Sequence, residues 1–570
     1  MGSSGQTRVG AATARGRRTR HLGWLLALLA LSLVIRVLTA SLLDQPGHES
    51  YSDPYYYAVG ARQLDAGRGF ELPFIWNYLD PPDSVVHPGY LYWMPLTAIV
   101  GWLGLLLLPF ADTFRAIQAP FVLLAALLPL VAYGLAWDLS SGRDRQRHAL
   151  LAGFLALFPG FYAHVLVLPD SFAPFALAGS LCLWLAGRGL RARARGDGGQ
   201  QAALWFGLAG LAGGLGHLGR ADGLLLPAVA LLALVLAPGR RLSLRGVLLP
   251  AAACLLGYLV VMGPWFARNW LVAGSPLPGA GTRTLFLTDY DDIFAYGAPL
   301  TLERYLAWGW GPILQSKLQA LALNLQRLWA EDFLVVLLPF SALGLWKLAR
   351  STGREMLRPF LLYLPLLFLA MTLGFTFPGT RGGFFHSGGA LLPFVFAAAG
   401  PGLEAAVRWV ARRTRGWNVR QAWTVFALGL VAMAALVTAF ALGRAGVLSG
   451  EWNRRTEGYE DIGQWLAARG AAGATVMVGN PPALTWHTGH PAIAVPNEPL
   501  DTILAVADRY GAAYLVLDAT RPRTTDLLYH GGESHPRLEM VFAIDDWQLY
   551  EIVPQEQAGA AFPARGGETL

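Results

Sequence analysis

Cysteine is almost absent from this 570-residue chain, which contains two cysteines. Cys182 and Cys254 lie inside apolar stretches, and neither has a CxxC or histidine partner. This scarcity excludes a scaffold built on disulfides and a zinc site built on cysteines. We therefore predict that both thiols are buried packing residues.

Charged residues are also scarce, at 14% of the chain, whereas 54% of its residues are hydrophobic. Mean hydropathy is +0.41, and apolar runs of about 20 residues recur, a length that spans roughly 30 Å of hydrocarbon. The pattern predicts a polytopic α-helical membrane protein. The net charge of +7 does not indicate nucleic-acid binding, because the arginines form short clusters between apolar runs and no nucleic-acid motif accompanies them.

A basic segment, 1–21, precedes the first apolar run and has no small-residue cleavage site, so we predict an uncleaved signal anchor with a cytoplasmic N-terminus. By the positive-inside rule, five later basic clusters are also cytoplasmic. They predict eleven spans: 22–43, 115–138, 148–166, 171–189, 201–217, 220–237, 245–265, 331–349, 358–376, 388–407 and 421–443.

Eleven crossings place the C-terminus outside the membrane. The run 89–110 is long enough to cross, but a crossing there would invert every later basic cluster. We therefore place it along the outer face, within a first outer loop of 44–114, and the sequence leaves open whether it crosses. The abundance of Ala, Leu, Arg and Gly favours a bacterial plasma membrane, which makes the outer side periplasmic or extracellular.

The composition changes after residue 445. Segments with helical and strand-like patterns alternate over 446–554, which predicts a small extracytoplasmic α/β domain ending in a hairpin over 540–553. The tail, 555–570, is predicted to be disordered. The domain lacks a nucleotide-binding glycine signature, and the stretch Gly479-Asn480-Pro481-Pro482 is interpreted as a turn.

Nine ionisable residues map to outer loops or outer helix ends in this topology, and such groups near a membrane are costly unless paired or hydrated. They are the candidate site residues: Glu49, Asp53, His87, Asp170, Arg220, Asp222, Arg268, Arg381 and His386.

Each candidate also has a structural explanation. Asp53 and Asp170 stand where helices begin and would serve as N-caps. Arg220 and Asp222 would form an ion pair in a short turn, and Arg268 would reach the interface from an aromatic belt. The alternative for the arginines is a site for a phosphate.

Five segments, taken in order, resemble the GT-C superfamily of integral-membrane glycosyltransferases. The resemblance covers about 20–445 and is greatest to protein O-mannosyltransferases and aminoarabinose transferases, the family 39-like branch. The matching segments are Asp53 with Tyr55-Tyr56-Tyr57 and Ala61-Arg62-Gln63-Leu64, then His87-Pro88-Gly89-Tyr90-Leu91-Tyr92, Leu168-Pro169-Asp170, Arg220-Ala221-Asp222-Gly223 and Pro264-Trp265-Phe266-Ala267-Arg268-Asn269. The chain departs from the family at His386-Ser387, where many relatives carry Arg-Tyr.

The resemblance implies inverting transfer of a sugar from a polyprenyl-phosphate donor to a lipid, glycan or protein acceptor at the outer membrane face. Asp53 would be the general base, and Glu49 and Asp170 would orient the acceptor or hold a cation. The lipid phosphate would be bound by the remaining candidates: His87, Arg268, Arg381, His386, Arg220 and Asp222. A divalent metal stays open, because the sequence contains no clear ligand set. The competing interpretation is a transporter or flippase of a lipid-linked substrate.

Overall fold

The structure is a computed structural model that describes residues 4–48, 50–196, 198–237, 244–351, 353–454 and 456–554. Glu49 and the tail 555–570 lie outside the described residues.

The described residues up to 445 are mostly helical. Their helices are α1 (Ser4–Ser41), α2 (Asp53–Asp65), α3 (Leu96–Leu107), α4 (Thr113–Leu139), α5 (Arg145–Leu157), α6 (Phe172–Arg195), α7 (Gly198–Gly219), α8 (Leu225–Val235), α9 (Leu244–Ala273), α10 (Ala280–Arg283), α11 (Leu302–Ala307), α12 (Trp310–Arg327), α13 (Leu338–Ala349), α14 (Arg354–Leu369), α15 (Thr376–Pro378), α16 (Phe384–Gly388), α17 (Leu392–Ala411) and α18 (Val419–Arg444). Two short strands, β1 (Glu71–Leu72) and β3 (His87–Pro88), pair antiparallel in the first loop.

The polytopic membrane architecture is confirmed. Eight helices in the described part of the chain are long and apolar enough to cross a membrane, and the bent pair Arg145–Leu157 and Gly160–Val167 adds a ninth. The two other predicted spans contain the shorter apolar helices Ala221–Val235 and α13. Helix α13 begins at Leu338, whereas the predicted span begins at 331, because Leu334 and Val335 adopt left-handed backbone angles and turn the chain.

The run 89–110 contains one short helix, α3. Its twelve residues extend about 18 Å, well short of the roughly 30 Å hydrocarbon core. The helix packs against α2 and α4. Gly104 of α3 makes the packing against α4 possible, because a Cβ there would lie 2.0 Å from the Ala116 carbonyl oxygen. This length favours a position at the membrane face.

The C-terminal part is an α/β unit, as predicted from its alternating pattern. Its elements are α19 (Glu451–Arg454), α20 (Glu457–Ala468), β4 (Thr475–Val478), α21 (Pro481–Thr488), β5 (Ala492–Ala494), α22 (Leu500–Tyr510), β6 (Ala512–Leu517), α23 (Asp526–Tyr529), β7 (Leu538–Ile544) and β8 (Trp547–Ile552). Helices cover both faces of the sheet, which explains why β4, β5 and β6 are buried almost throughout.

One strand of this sheet comes from the first loop, which the sequence did not predict. The order is β2-β5-β4-β6-β8-β7, where β2 is Phe74–Ile75. The four strands β2, β5, β4 and β6 run parallel, and β8 and β7 form the closing antiparallel hairpin. A continuous core joins the domain to α2, and the Arg62 side chain donates a hydrogen bond to the Trp486 carbonyl (3.1 Å). We call this end of the helix bundle the domain end.

Two local predictions have clear outcomes. Cys182 and Cys254 are fully buried free thiols, as predicted. The turn interpretation of 479–482 was wrong in part, because the Asn480 side chain accepts a hydrogen bond from the backbone N–H of Ala483 (3.3 Å) and begins α21 there.

Candidate active site

Three ionisable side chains meet at the domain end of the bundle, although they are far apart in sequence. His386 Nε2 lies 3.7 Å from Asp53 Oδ2, and His386 Nδ1 lies 3.7 Å from Asp170 Oδ1. One potential ligand atom from each residue falls within 4.8 Å of the others. The imidazole therefore stands between two carboxylates.

Helix starts position both carboxylates. The N-cap of α2 is Ser52, one residue before Asp53, and the N-cap of α6 is Ser171, one residue after Asp170. Neither aspartate is therefore the N-cap residue, and neither serine makes a side-chain capping hydrogen bond. Asp170 is fully buried and accepts hydrogen bonds from the Tyr51 hydroxyl and from the Ser171 backbone N–H. These donors fix the position of its carboxylate.

His386 comes from α16 and is held on two sides. Its ring stacks on Phe172, with centroids 3.8 Å apart and planes 19° apart. The Ser171 hydroxyl lies 3.0 Å from its Nδ1. Because α6 supplies both contacts, the same helix start that carries Asp170 also orients the imidazole.

Arg220 brings a positive charge to the same place. Its Nε lies 3.0 Å from Asp222 Oδ1 and donates to the Ser387 hydroxyl at 3.2 Å. Its Nη1 donates to the Ser171 hydroxyl at 3.4 Å. The side chains of both Arg220 and Asp222 are 18% exposed, so the predicted ion pair exists and lies at the cluster.

Arg381 adds a second cation in the segment that leads to α16. Its guanidinium lies over the Tyr290 ring, 5.3 Å from the centroid. Arg327 of α12 braces the segment by donating to the Thr380 carbonyl (2.8 Å). Arg381 and Asp53 line the same cavity.

Asp53, Arg220, Arg381 and His386 line a cavity of about 720 Å³ between the membrane helices and the C-terminal domain, whereas Asp170 is buried behind its wall and Asp222 is not part of the lining. Gly479 and Asn480 follow β4, and Ala519 and Thr520 follow β6. Carboxyl ends of parallel strands form the usual ligand-binding edge of an open α/β sheet. The volume lies in the range of small-molecule sites, so the domain supplies one wall of a ligand-sized cavity.

Burial changes the acid–base properties of the carboxylates. Burial, and then the negative charge of Asp170, raises the pKa of Asp53 to about 8, although Arg220 and Arg381 oppose the shift. Burial also raises the pKa of Asp170, against the hydrogen bonds from Tyr51 and Ser171. Perturbed carboxylates in a cavity are typical of catalytic sites.

The structure does not bring His87 and Arg268 to this cavity, whose lining contains neither residue. His87 Nδ1 bonds to the Val85 carbonyl within the first loop. Arg268 lies over Trp265 and donates to the Gly89 carbonyl (3.0 Å). Because both polar groups are engaged in holding the 85–90 loop, a role for either residue in phosphate binding finds no support in this geometry.

Sequence reasoning missed several residues of the cavity wall. Tyr51 and Asp291 line the cavity but were not among the candidate residues. Asn480 and Thr520 belong to a domain without a recognisable motif. Only the proximity of Tyr51 to Asp53 in the sequence was a usable signal.

The cluster fits a divalent cation. Asp53, Asp170 and His386 offer two carboxylate oxygens and one imidazole nitrogen within 4.8 Å of one another. This donor set suits Mn²⁺, Zn²⁺ or a similar ion. The ligand set that the sequence did not reveal is therefore present in the fold.

Comparison with known proteins identifies the class of fold. No protein-family model matches the chain, and no curated protein matches its sequence. Solved structures do match: this is a polytopic membrane protein with the GT-C fold, which confirms the fold expected from the motifs.

The matching structures come from two kinds of GT-C protein. ArnT from Cupriavidus metallidurans in the apo state is 15% identical, with a TM-score of 0.56 over 93% of this chain and 98% of that chain. The same protein bound to undecaprenyl phosphate gives 15% identity and a TM-score of 0.54, over 94% and 98%. An oligosaccharyltransferase from Archaeoglobus fulgidus in complex with Zn and sulfate gives 15% identity and a TM-score of 0.56, over 87% of this chain and 68% of that chain.

Proposed function

We propose that the protein transfers a sugar from a polyprenyl-phosphate donor to an acceptor at the outer face of the membrane, with inversion. The observation that carries this proposal is the cluster of Asp53, Asp170 and His386, whose Asp53 and His386 line a cavity of a GT-C fold together with two arginines. Two of the similar structures hold a lipid phosphate, undecaprenyl phosphate in ArnT and a dolichol-phosphate in the Archaeoglobus fulgidus oligosaccharyltransferase. These lipid phosphates favour a polyprenyl carrier for this chain also.

Asp53 is the proposed general base. Its carboxylate takes the proton from an acceptor hydroxyl or amine, and that atom forms a bond to the anomeric carbon of the sugar. The bond between the anomeric carbon and the phosphate oxygen breaks, and its electron pair leaves with the lipid phosphate. A raised pKa suits this role, because it makes the carboxylate a stronger base.

Arg381 and Arg220 are the proposed partners of the departing phosphate. The leaving group is an anion that needs charge stabilisation rather than a proton, and guanidinium groups bind phosphate oxygens well. Both arginines line the cavity, so they replace His87 and Arg268 in this role. Ser171 links His386 and Asp170, because its hydroxyl contacts the imidazole and its backbone N–H donates to the carboxylate.

Asp53, Asp170 and His386 would hold a divalent cation. Such an ion supplies positive charge beside the reacting groups and favours the ionised form of the acids that bind it. The acceptor would approach from the side of the domain, where Asn480 and Thr520 contribute polar groups to the wall.

The test is a transfer assay with purified full-length protein, radiolabelled polyprenyl-phosphate sugars and a panel of acceptors. We expect wild type to release or transfer the sugar, and Asp53→Asn to lower the rate by at least about 100-fold, as loss of a general base does. Asp44→Asn is the matched control, because Asp44 is 63% exposed and pairs with Arg115 on the surface. Intact donor moved across vesicles by wild type and by Asp53→Asn alike would instead identify a flippase.

A further inference from the structure

A second large cavity lies at the end of the bundle opposite the domain end. It measures about 590 Å³ and forms where α4, α6 and α13 end and where α5 and α14 begin. Helix α6 connects the two cavities, since it starts beside Asp170 and its last turn, with Arg195, lines the second one. Its 24 residues separate them by about 35 Å. The second cavity is therefore distinct from the candidate active site.

Four carboxylates line this cavity, and each already has a cationic partner. The pairs are Asp138 with Arg145 and Arg188, Asp144 with Arg147 and Arg408, Glu355 with Arg358, and Glu404 with Arg147, His148 and Arg408. Of the arginines in these ion pairs, only Arg145 is itself part of the lining. Cations behind the wall therefore neutralise most of the negative charge that the lining carries.

The lining contains three further cations, Arg191, Arg195 and Lys347. Within the described part of the chain, no carboxylate lies within 4 Å of the charged groups of Arg191, Arg195 or Lys347. Arg191 is fixed by a hydrogen bond from its Nη2 to the Asp138 carbonyl (2.7 Å), an acceptor that carries no formal charge. The side chain of Lys347 is half-buried, and that of Arg195 is exposed at the mouth of the cavity. The cavity consequently carries an excess of positive charge.

We propose that this cavity binds a phosphate group. Guanidinium and ammonium groups that line one cavity without forming ion pairs of their own are suited to binding phosphate oxygens. Basic pockets between helix ends at a membrane boundary bind phospholipid headgroups. The same chemistry would accept the headgroup of an anionic phospholipid from the adjoining leaflet or a soluble phosphate ester.

The test uses the purified full-length chain and removes two of the unpaired charges, with Arg195→Gln and Lys347→Gln combined. The matched control removes two charges from the same end of the bundle, with Arg412→Gln and Arg415→Gln combined, since neither residue lines the cavity. Lys347→Arg alone keeps the charge and is expected to bind as wild type does. Melting temperature and sugar transfer at the distant site report whether each variant is folded.

Two arms separate the sources of phosphate. In the first, native mass spectrometry compares retention of phosphatidylglycerol with that of phosphatidylcholine, and we expect the cavity variant to hold phosphatidylglycerol about tenfold more weakly than the control does. In the second, inorganic phosphate and glycerol 3-phosphate are titrated while the melting temperature is followed. A selective loss in the first arm assigns a lipid headgroup, and a selective loss in the second assigns a soluble ester. The proposal is overturned if the cavity variant and the control variant behave equally in both arms. It is also overturned if the cavity variant does not fold and Lys347→Arg binds the phosphate ligands no better than the cavity variant does.

Discussion

At the scale of single residues, Asp53 determines how the site responds to pH. Its carboxyl, 27% exposed into the cavity, has a pKa raised to about 8 by burial and by Asp170. A base must be ionised to accept a proton, so transfer by the metal-free enzyme is expected to rise with pH and to level off above about pH 8. A bound divalent cation favours the ionised form, so added Mn²⁺ is expected to shift the rise to lower pH. A rate profile with and without chelator checks this, and a rise centred near pH 4 in both would contradict it.

The same pKa has a consequence for stability that does not depend on activity. A raised pKa means that the folded protein holds a proton on Asp53 at pH values where the unfolded chain, with a pKa of about 4 for Asp, has lost it. This stabilisation is complete below about pH 4 and is lost as the pH rises through about 8. The melting temperature of wild type is therefore expected to fall more steeply between pH 5 and pH 9 than that of Asp53→Asn. Parallel curves for the two proteins would exclude an ionisation of Asp53 in this range.

The residue scale also shows what a sequence reveals of a site. Asp53, Asp170, Arg220, Arg381 and His386 were all among the candidates, because the positive-inside rule puts them on one side of the membrane. Their distances were not predictable, since they depend on how helices pack and not on local pattern. Arg268, the candidate arginine of the Pro-Trp motif, illustrates this: it was expected at the site, but its side chain donates a hydrogen bond to the Gly89 carbonyl and does not line the cavity.

At the scale of elements, the strand β2 couples the first loop to the C-terminal domain. Phe74 is 1% exposed, lies in the strand that pairs with β5 and packs against Tyr56 of α2, with ring centroids 5.3 Å apart. Phe74→Ala is expected to cost about 3–5 kcal/mol of stability, as a buried phenylalanine does. Because the strand belongs to both parts, hydrogen exchange is expected to increase in β5 as well as in the loop.

The control for this prediction is Phe110→Ala, in the turn between α3 and α4, because the Phe110 side chain is 84% exposed. It removes the same atoms and is expected to leave hydrogen exchange in β5 unchanged. Faster exchange confined to the first loop in Phe74→Ala would mean that the domain folds independently of β2.

The strands and helices after residue 446 were predictable because strand and helix periodicities alternate there. The strand β2 was not, because two residues in an aromatic loop carry no periodicity, and its partner lies more than 400 positions later. Pairing over such a separation is decided by tertiary packing. The start of α13 was displaced for a similar reason, since hydropathy does not register the left-handed turn at Leu334 and Val335.

At the scale of the whole molecule, the two cavities lie at opposite ends of one helix bundle, and our orientation places the candidate active site outside. This orientation rests on the basic clusters, and cysteine labelling of intact cells tests it. The chain suits the experiment because Cys182 and Cys254 are both fully buried. Neither is expected to react with a maleimide, so single cysteines can be introduced into the natural sequence.

Ser84→Cys and Thr414→Cys make a matched pair. Both side chains are exposed. Ser84 lies beside the C-terminal domain, where its neighbour Asp83 is 3.7 Å from Arg509, whereas Thr414 follows α17 at the opposite end. A membrane-impermeant maleimide is expected to label Ser84→Cys in intact cells and Thr414→Cys only after permeabilisation. The reverse pattern would place the candidate active site on the cytoplasmic side, and the positive-inside rule would then have failed for all six basic clusters at once.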